Sequence, residues 1–274
     1  MLVSKKELIN QKLKSIKVED LKELAESLGE SVAGNGSDII KRIIDKSSED
    51  IDEFIKRKYQ SQIKERQRII SDEDLKQELM KVESISWGVV QGQLDQKIQK
   101  EYVRRFVRYN DLVNGVKNKL HDDITNYVIA TWYNHWTTVL IEDYISQHPR
   151  VIPTLKNYKG IDIFFDGQPL DLKITYLPRN YSLEEAIKNP KELVIWLYEN
   201  QGAQRFGADN RFFVVLASKD NLEESWKLKR GFNFVFSKIS DFLDKTTVSK
   251  KDEIIFSFDR KTYTAISKIL IITK

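Results

Sequence analysis

Residues 159–175 read Lys-Gly-Ile-Asp-Ile-Phe-Phe-Asp-Gly-Gln-Pro-Leu-Asp-Leu-Lys-Ile-Thr. The Asp166-Gly167 pair separates two runs that are rich in aliphatic and aromatic residues, and in that setting it favours a two-residue type I′ turn. The stretch therefore predicts a β-hairpin. Counting outward from the turn sets the register, which places Asp162 opposite Asp171.

The two faces of the predicted hairpin differ sharply in polarity, because side chains alternate along a strand. One face is almost entirely apolar and is expected to pack on the core. The other carries Asp162, Asp171 and Lys173, with the two aspartate Cβ atoms roughly 5 Å apart. A shared cation or a raised pKa would relieve the repulsion between the carboxylates. Oxygen-only ligands favour Mg²⁺ or Mn²⁺ over zinc, and the Lys173 ammonium would orient water or stabilise charge on a phosphate.

The residues on either side of the hairpin predict further helices and strands. A helix is expected over 122–147, where His148-Pro149 ends it. A second helical region begins after Ser182 and is divided at Pro190. This crossover makes the next strand parallel to the second strand of the hairpin. The strands expected outside the hairpin are 151–155, 211–218, 254–258 and 269–272.

The pattern of Asp162 followed by Asp171-Leu172-Lys173 on the adjacent strand resembles the motif of the PD-(D/E)xK nuclease superfamily. Ile161 stands where the motif has proline, which is a departure that many members share. The resemblance implies an α/β fold with a restriction-endonuclease-like αβββαβ core and a mixed central sheet. An all-helical N-terminal region would precede that core.

The resemblance also implies roles for the residues of the motif. Asp162 and Asp171 would bind Mg²⁺, with Mn²⁺ as a substitute, and the backbone carbonyl of Leu172 would assist them. Lys173 would position the attacking water. A solvated strand face that carries the same charges is the competing interpretation of this segment.

An acid on the helix before the hairpin would complete the site. Glu142 and Asp143 lie near the C-terminal end of that predicted helix, where the helix dipole disfavours carboxylates. Such a local conflict often accompanies a functional site. We assign the role to Glu142, with Asp143 as the alternative.

The first 47 residues predict a pair of short helices. One spans 18–29 and stops at Gly29, and the other spans 38–44 and is expected to be capped by Ser37. The unit resembles a SAP module, a small DNA-binding helical pair. A plain helical hairpin is the alternative, because the loop over 30–33 is acidic and apolar. The residues that carry the resemblance are Leu21, Leu24, Gly29, Gly36, Ile40 and Arg42.

Basic clusters elsewhere predict contacts with the phosphates of DNA through counterion release. One runs over 56–68 of a long polar helix expected at 50–82, and solvated helix faces are the alternative interpretation. A polar segment before the strand at 211 carries amides and an arginine that would read base edges or hold phosphates. The residues assigned to DNA binding are Arg104, Arg105, Arg108, Gln204, Arg205, Asn210, Lys227, Lys229 and Arg230.

Composition excludes several classes of function. The 274 residues contain no cysteine, which rules out disulfides, thiolate catalysis and cysteine-ligated zinc. No glycine-rich phosphate loop and no nucleophile elbow is present. The net charge of +4 identifies no partner by itself. No apolar run reaches the ~20 residues of a membrane span, and the start of the chain lacks a secretory signal. A prokaryotic cytoplasmic location is expected.

The sequence therefore predicts a Mg²⁺-dependent deoxyribonuclease that cuts double-stranded DNA as a homodimer and binds no membrane. A Type II restriction endonuclease is the first hypothesis. A repair or recombination nuclease of the same fold, and a DNA-binding protein without activity, are the alternatives. The expected domains are a SAP-like module over 1–47, a helical DNA-binding linker over 48–118 and a nuclease domain over 119–274.

Overall fold

The computed structural model describes residues 2–85, 96–105, 107–200, 210–258 and 260–274. Within these residues the chain forms two compact units, one made of residues 1–69 and 141–274 and the other of residues 70–140. The domain boundaries predicted after residues 47 and 118 are set by the expected roles of the segments. They differ from the division into compact units, and they stay a prediction. Among the described residues, no helix combines the length and the apolarity that a bilayer crossing requires.

Helices make up the N-terminal part of the chain and flank the strands that follow. In the first unit, α7 contributes its last residues, from 141 onward. The helices are α1 (Lys5–Lys14), α2 (Val18–Ser27), α3 (Gly36–Ile43), α4 (Ser48–Gln67), α5 (Asp72–Met80), α6 (Tyr109–Gly115), α7 (His121–Ser146), α8 (Leu183–Lys188), α9 (Pro190–Asn200), α10 (Ser225–Lys229) and α11 (Phe232–Lys245).

A mixed β-sheet forms the centre of the first unit. Its strands are β1 (Val151–Tyr158), β2 (Ile161–Phe165), β3 (Gln168–Tyr176), β4 (Arg211–Ala217), β5 (Glu253–Phe258) and β6 (Lys261–Thr273). Their order across the sheet is β1-β2-β3-β4-β6-β5. β3, β4 and β6 are parallel, whereas β1–β2, β2–β3 and β5–β6 pair antiparallel. The α/β class, the mixed sheet and the parallel crossover from β3 to β4 are confirmed.

The hairpin of β2 and β3 forms at the predicted turn. Asp166 and Gly167 both have positive φ, +48° and +72°, as a type I′ turn requires. The register next to the turn is the predicted one, with Phe165 opposite Gln168 and Ile163 opposite Leu170. The turn chemistry of two residues therefore fixes which side chains of both strands share a face.

The sheet is covered on both faces by helices. On one face, alternate residues of β2, β3 and β4 pack with α11 and the end of α7. On the other face, Phe164 joins a core made by α1–α4, while Phe213 and Val215 pack against α9. By the alternation of side chains, Asp162 shares the second face with Phe164. Asp171 and Lys173 lie on that face as well, on β3, which is the strand between β2 and β4.

Two details of the N-terminal helices differ from the prediction. Asn35, rather than Ser37, caps α3: its side chain accepts from the backbone of Asp38, whose carboxylate accepts in turn from the Asn35 N–H. This reciprocal pair starts the helix two residues earlier. The long helix predicted over 50–82 is two helices, α4 and α5, because the Ser71 hydroxyl caps a new start by accepting from the Asp74 N–H.

Candidate active site

Asp162 lies where the pairing of β2 with β3 opens. The hairpin register would place Leu172 opposite Ile161, and Leu172 N–H donates instead to Asp162 Oδ2 at 2.8 Å. The carboxylate thus replaces a backbone acceptor of the ladder and is held in one orientation. Thr154 Oγ1 supports the same corner from β1, since it donates to the carbonyls of Ile161 and Asp162 at 3.3 and 3.2 Å.

Asp171 is buried and lies between two cations. Lys173 Nζ donates to its Oδ1 at 2.6 Å. Arg211 Nε lies 3.2 Å from its Oδ2, in an ion pair whose N–H is not aligned as a hydrogen bond. The Asp171 N–H donates at 2.9 Å to the carbonyl of Asn210, the residue before β4. Both carboxylate oxygens are therefore engaged while the backbone is held by the neighbouring strand.

The predicted repulsion between the two aspartates is visible in the pKa of Asp162. Burial of the carboxyl group and the adjacent Asp171 raise this pKa to about 6, although the Leu172 N–H and the Lys173 charge oppose the shift. The residue as a whole remains solvent-accessible. Solvent therefore reaches the residue, although burial of the carboxyl group disfavours its charged form.

Glu142 and Asp143 are neighbours on α7 with different surroundings. Asp143 accepts from Tyr59 Oη at 2.8 Å and forms an ion pair with Arg66 at 2.9 Å. Glu142 lies close enough to Asp162 for the two charges to interact, and burial together with the charge of Asp162 raises the pKa of Glu142 to about 7. Of the two alternatives left open by the sequence, Glu142 is the acid that is electrostatically coupled to the two strands.

Lys229 is buried beside this cluster, although the sequence assigned it to the DNA backbone. Burial lowers the pKa of its ammonium to about 8, and the nearby Glu142 charge opposes the shift. Its Nζ lies 5.8 Å from the centre of the Tyr176 ring. A lysine that is 3% exposed serves neighbouring protein groups more readily than it serves an external phosphate.

Arg211 is the site residue that the sequence analysis missed. It is buried, pairs in register with Asp171 across the parallel β3–β4 ladder, and its guanidinium lies 5.0 Å from the centre of the Tyr198 ring. A basic residue at the start of the strand after the crossover was the available signal. Its meaning depends on the register between β3 and β4, which no local turn sets.

Of the other residues assigned to DNA binding, three in the first unit, Asn210, Lys227 and Arg230, have partners within the protein. Lys227 forms an ion pair with Glu224 at 2.7 Å, and the guanidinium of Arg230 lies over the Trp226 ring. The side-chain oxygen of Asn210 accepts from Ile266 N–H at 2.8 Å, within the sheet. Arg104, Arg105 and Arg108 are exposed in the second unit. Gln204 and Arg205 lie outside the described residues.

In the described part of the chain, the cluster has three acids, Glu142, Asp162 and Asp171, and three cations, Lys173, Arg211 and Lys229. No three His, Cys, Asp or Glu side chains of that part lie close enough together to hold one metal ion. Two carboxylates on adjacent strands remain available as oxygen ligands, and Mg²⁺ is often bound through one or two carboxylates and several waters. The arrangement can bind a hard cation, hold an anion and exchange protons near neutral pH.

Comparisons of the chain with known protein families, with curated proteins and with solved structures find no match.

Proposed function

We propose that the chain is a Mg²⁺-dependent endonuclease of the PD-(D/E)xK type, which hydrolyses phosphodiester bonds of double-stranded DNA. One observation carries the proposal. Asp162, Asp171 and Lys173 share one face of adjacent strands, where Lys173 lies 2.6 Å from Asp171 and the two carboxylates are coupled. The spacing of the motif therefore corresponds to a compact cluster rather than to three separate surface charges.

The order of elements supports the finer proposal of a restriction-endonuclease-like αβββαβ core. A helix, three strands that pair in sequence order, two helices and a strand parallel to the third follow one another as that core requires. The crossover through α8 and α9 brings β4 beside β3 and Arg211 beside Asp171. The charged residues of the proposed site come from five elements, α7, β2, β3, β4 and α10, and this order of elements supports the proposal.

The donor set fits a divalent cation. Asp162 and Asp171 would hold Mg²⁺ or Mn²⁺. Leu172 N–H points toward Asp162, and since the N–H and C=O of one strand residue face the same neighbour, its carbonyl faces that side too. Burial and the neighbouring Asp171 raise the pKa of Asp162, and a bound cation would favour its charged form. When bound, the metal would polarise a phosphoryl oxygen and make water more acidic.

The remaining groups have roles that follow from charge and burial. Lys173 is half-exposed and would hold the attacking water or an oxygen of the scissile phosphate. Glu142, with a pKa near neutrality, would accept a proton at working pH. Lys229 would keep Glu142 ionised more readily than burial alone allows. Arg211 would hold the second oxygen of Asp171 and so orient the carboxylate.

The biological class is proposed from the same cluster and the absence of a phosphate-loop motif in the sequence. A Type II restriction endonuclease acting as a homodimer is the first hypothesis, because symmetric cutting of both strands needs two copies of the site. A repair or recombination nuclease would use the same chemistry on branched DNA. A DNA-binding protein without activity would use the cluster only as an ion-pair network.

Incubation of the purified chain with supercoiled plasmid tests the proposal. Discrete linear fragments with Mg²⁺ or Mn²⁺, and none with EDTA, are expected, and a constant end sequence supports restriction. Preference for branched substrates supports repair. Asp171→Ala and Lys173→Ala should abolish cutting, whereas Lys188→Ala, on an exposed helix position, should not. No cleavage by the wild type at any metal or salt concentration would contradict the nuclease proposal.

A further inference from the structure

A groove of about 600 Å³ lies in the first unit among α1, α3 and β1. Its floor is apolar, and two of the residues that form it, Ile16 and Leu21, are almost fully buried. Lysines from three different elements form its rim: Lys14 at the end of α1, Lys41 on α3 and Lys156 on β1, all of them exposed. Val18, which also lines the groove, is exposed, so the groove presents apolar surface as well as a positively charged rim.

The three lysines of the rim, Lys14, Lys41 and Lys156, differ in their surroundings from the lysines of the first unit that form ion pairs. Among the described residues, no carboxylate lies within ion-pair distance of Lys14, Lys41 or Lys156. A fourth lysine of the groove, Lys6, lies 3.8 Å from Asp45 in a loose and exposed pair. Like charges gathered on one concave surface raise its positive potential and attract an external anion.

A second cavity of the same unit shows the opposite arrangement. It has a volume of about 360 Å³ and lies beside the β2–β3 turn. There Lys12 pairs with Asp52 at 2.7 Å, and Arg150 pairs with Asp166 at 2.5 Å. Two cations of this cavity are therefore neutralised by acids within the protein, whereas Lys14, Lys41 and Lys156 of the groove pair with no acid of the described residues.

The groove begins close to the candidate active site. Thr154 Oγ1 donates to the backbone carbonyl of Asp162, and Lys156 follows two residues later, about 7 Å along a strand. Leu155, between them, donates its N–H to the Ser15 carbonyl and so ties β1 to the end of α1. An extended polyanion bound at Asp162 would reach the rim of the groove within a few phosphates.

We propose that this groove holds the phosphate backbone of double-stranded DNA on one side of the cleavage site. The inference rests on the proposed function, because it takes DNA as the substrate of the neighbouring cluster. Lys14, Lys41 and Lys156, which come from three different elements, each neutralise a phosphate. The groove therefore supplies affinity and position rather than sequence recognition.

The test measures the salt dependence of binding of a fluorescein-labelled 30-bp duplex in EDTA, where no cleavage occurs. Each phosphate contact contributes about 0.9 to the slope of log Kobs against log salt concentration. The triple variant Lys14→Gln, Lys41→Gln, Lys156→Gln should lower the magnitude of that slope by about 2 to 3 and weaken binding at least ~10-fold at low salt. A control variant, Lys188→Gln, Lys219→Gln, Lys251→Gln, removes the same charge at exposed positions outside the groove and should change the slope by less than about 1.

Each outcome decides the proposal. Equal slopes for the two triple variants, or no duplex binding by the wild type, would overturn it. Binding of poly-L-glutamate that depends on the three lysines, with duplex binding unaffected, would make the groove an acidic-peptide site and would also overturn it. If the wild type cuts plasmid while the slope of the groove variant is normal, the groove fails and the nuclease stands. If the wild type binds with the expected slope change but never cuts, the nuclease fails and the groove stands.

Discussion

Both ends of the β2–β3 hairpin carry carboxylates next to cations. The charges are matched at the turn, whereas several like charges are crowded together at the open end. At the turn, Asp166 accepts from Arg150 at 2.5 Å and from Val248 N–H at 3.0 Å, while the Arg150 guanidinium lies over the Phe165 ring. At the open end, three carboxylates share three cations, and the pKa values of Asp162, Glu142 and Lys229 are all shifted toward the neutral range.

The difference lies in how completely each charge is matched. The turn uses one acid and one arginine to fasten the hairpin to the end of α11, since Arg150 also donates to the Leu243 carbonyl. The open end brings like charges together at the cost of stability, which is the usual state of a group that must bind a ligand or exchange a proton. How completely the charge of an acid is matched therefore distinguishes an ion pair that we expect to be structural from one that we propose to be functional.

The largest expected effect is on the rate of plasmid cleavage, which should distinguish the open end of the hairpin from the turn. Asp162→Asn keeps the acceptor of Leu172 N–H but removes a metal ligand, so cleavage of plasmid should fall by at least ~100-fold. Asp166→Asn, the matched change at the turn, should leave cleavage within about threefold once the protein is folded. Initial rates under identical Mg²⁺ concentrations measure both. Equal losses in the two variants would remove the functional distinction between the ends.

The free energy of unfolding should respond in the reverse order, with the larger loss for the change at the turn. Asp166→Ala removes the acceptor of Val248 N–H and of Arg150 Nη2, and the free energy of unfolding should fall by about 2 kcal/mol. Asp162→Asn should be neutral or stabilising at pH 8, because it removes repulsion with Asp171 and keeps the hydrogen bond. Urea denaturation of both variants gives the comparison. A loss in Asp162→Asn as large as that in Asp166→Ala would argue that Asp162 is structural.

The raised pKa of Glu142 predicts a pH dependence with a definite sign. A carboxyl group whose pKa is raised in the folded state, here to about 7, stabilises the fold below its unfolded pKa and loses that contribution as the pH rises through 7. Glu142→Gln imitates the protonated form. It should increase the free energy of unfolding by about 1 kcal/mol at pH 8, after allowance for partial solvent screening, and change it little at pH 5. Asp220→Asn, at an exposed loop position, is the control and should show no such difference.

The smallest effect is a shift in melting temperature with Mg²⁺. Protons compete with the cation for Asp162, whose pKa is about 6. Addition of 10 mM MgCl₂ should therefore raise the Tm by about 1 to 3 °C at pH 8 and by less at pH 5.5. Differential scanning calorimetry measures both shifts. Asp166→Asn should retain the shift and Asp162→Asn should lose it, and the reverse pattern would place the cation at the turn.

Local chemistry explains what the sequence could predict. The Asp166-Gly167 turn determined both faces of the hairpin, and Ser182 with Pro190 marked the start of α8 and its separation from α9. These signals act over two to four residues, so a single sequence contains them in full. The same is true of Gly29, whose positive φ of 71° follows α2.

Signals that depend on distant residues were not available. Arg211 meets Asp171 only through the register of a parallel pair joined by a long crossover, and Asp143 is engaged by Tyr59 and Arg66 of a helix more than 70 residues away. The sequence therefore assigned the role of completing the site to Glu142 while keeping Asp143 as the alternative. Likewise Lys229 was expected to face a phosphate, and only the packing of α10 against β4 buries it.

The discontinuity of the first unit bears on how the protein is made. Its N-terminal helices complete their core with Ile152, Leu155 and Phe164, which leave the ribosome long after residue 69. At about 5 to 20 residues per second, the helices wait roughly 5 to 20 s for those partners. During that interval the apolar faces of the helices are exposed on the nascent chain. Chaperones that recognise such faces would bind the chain before the sheet forms.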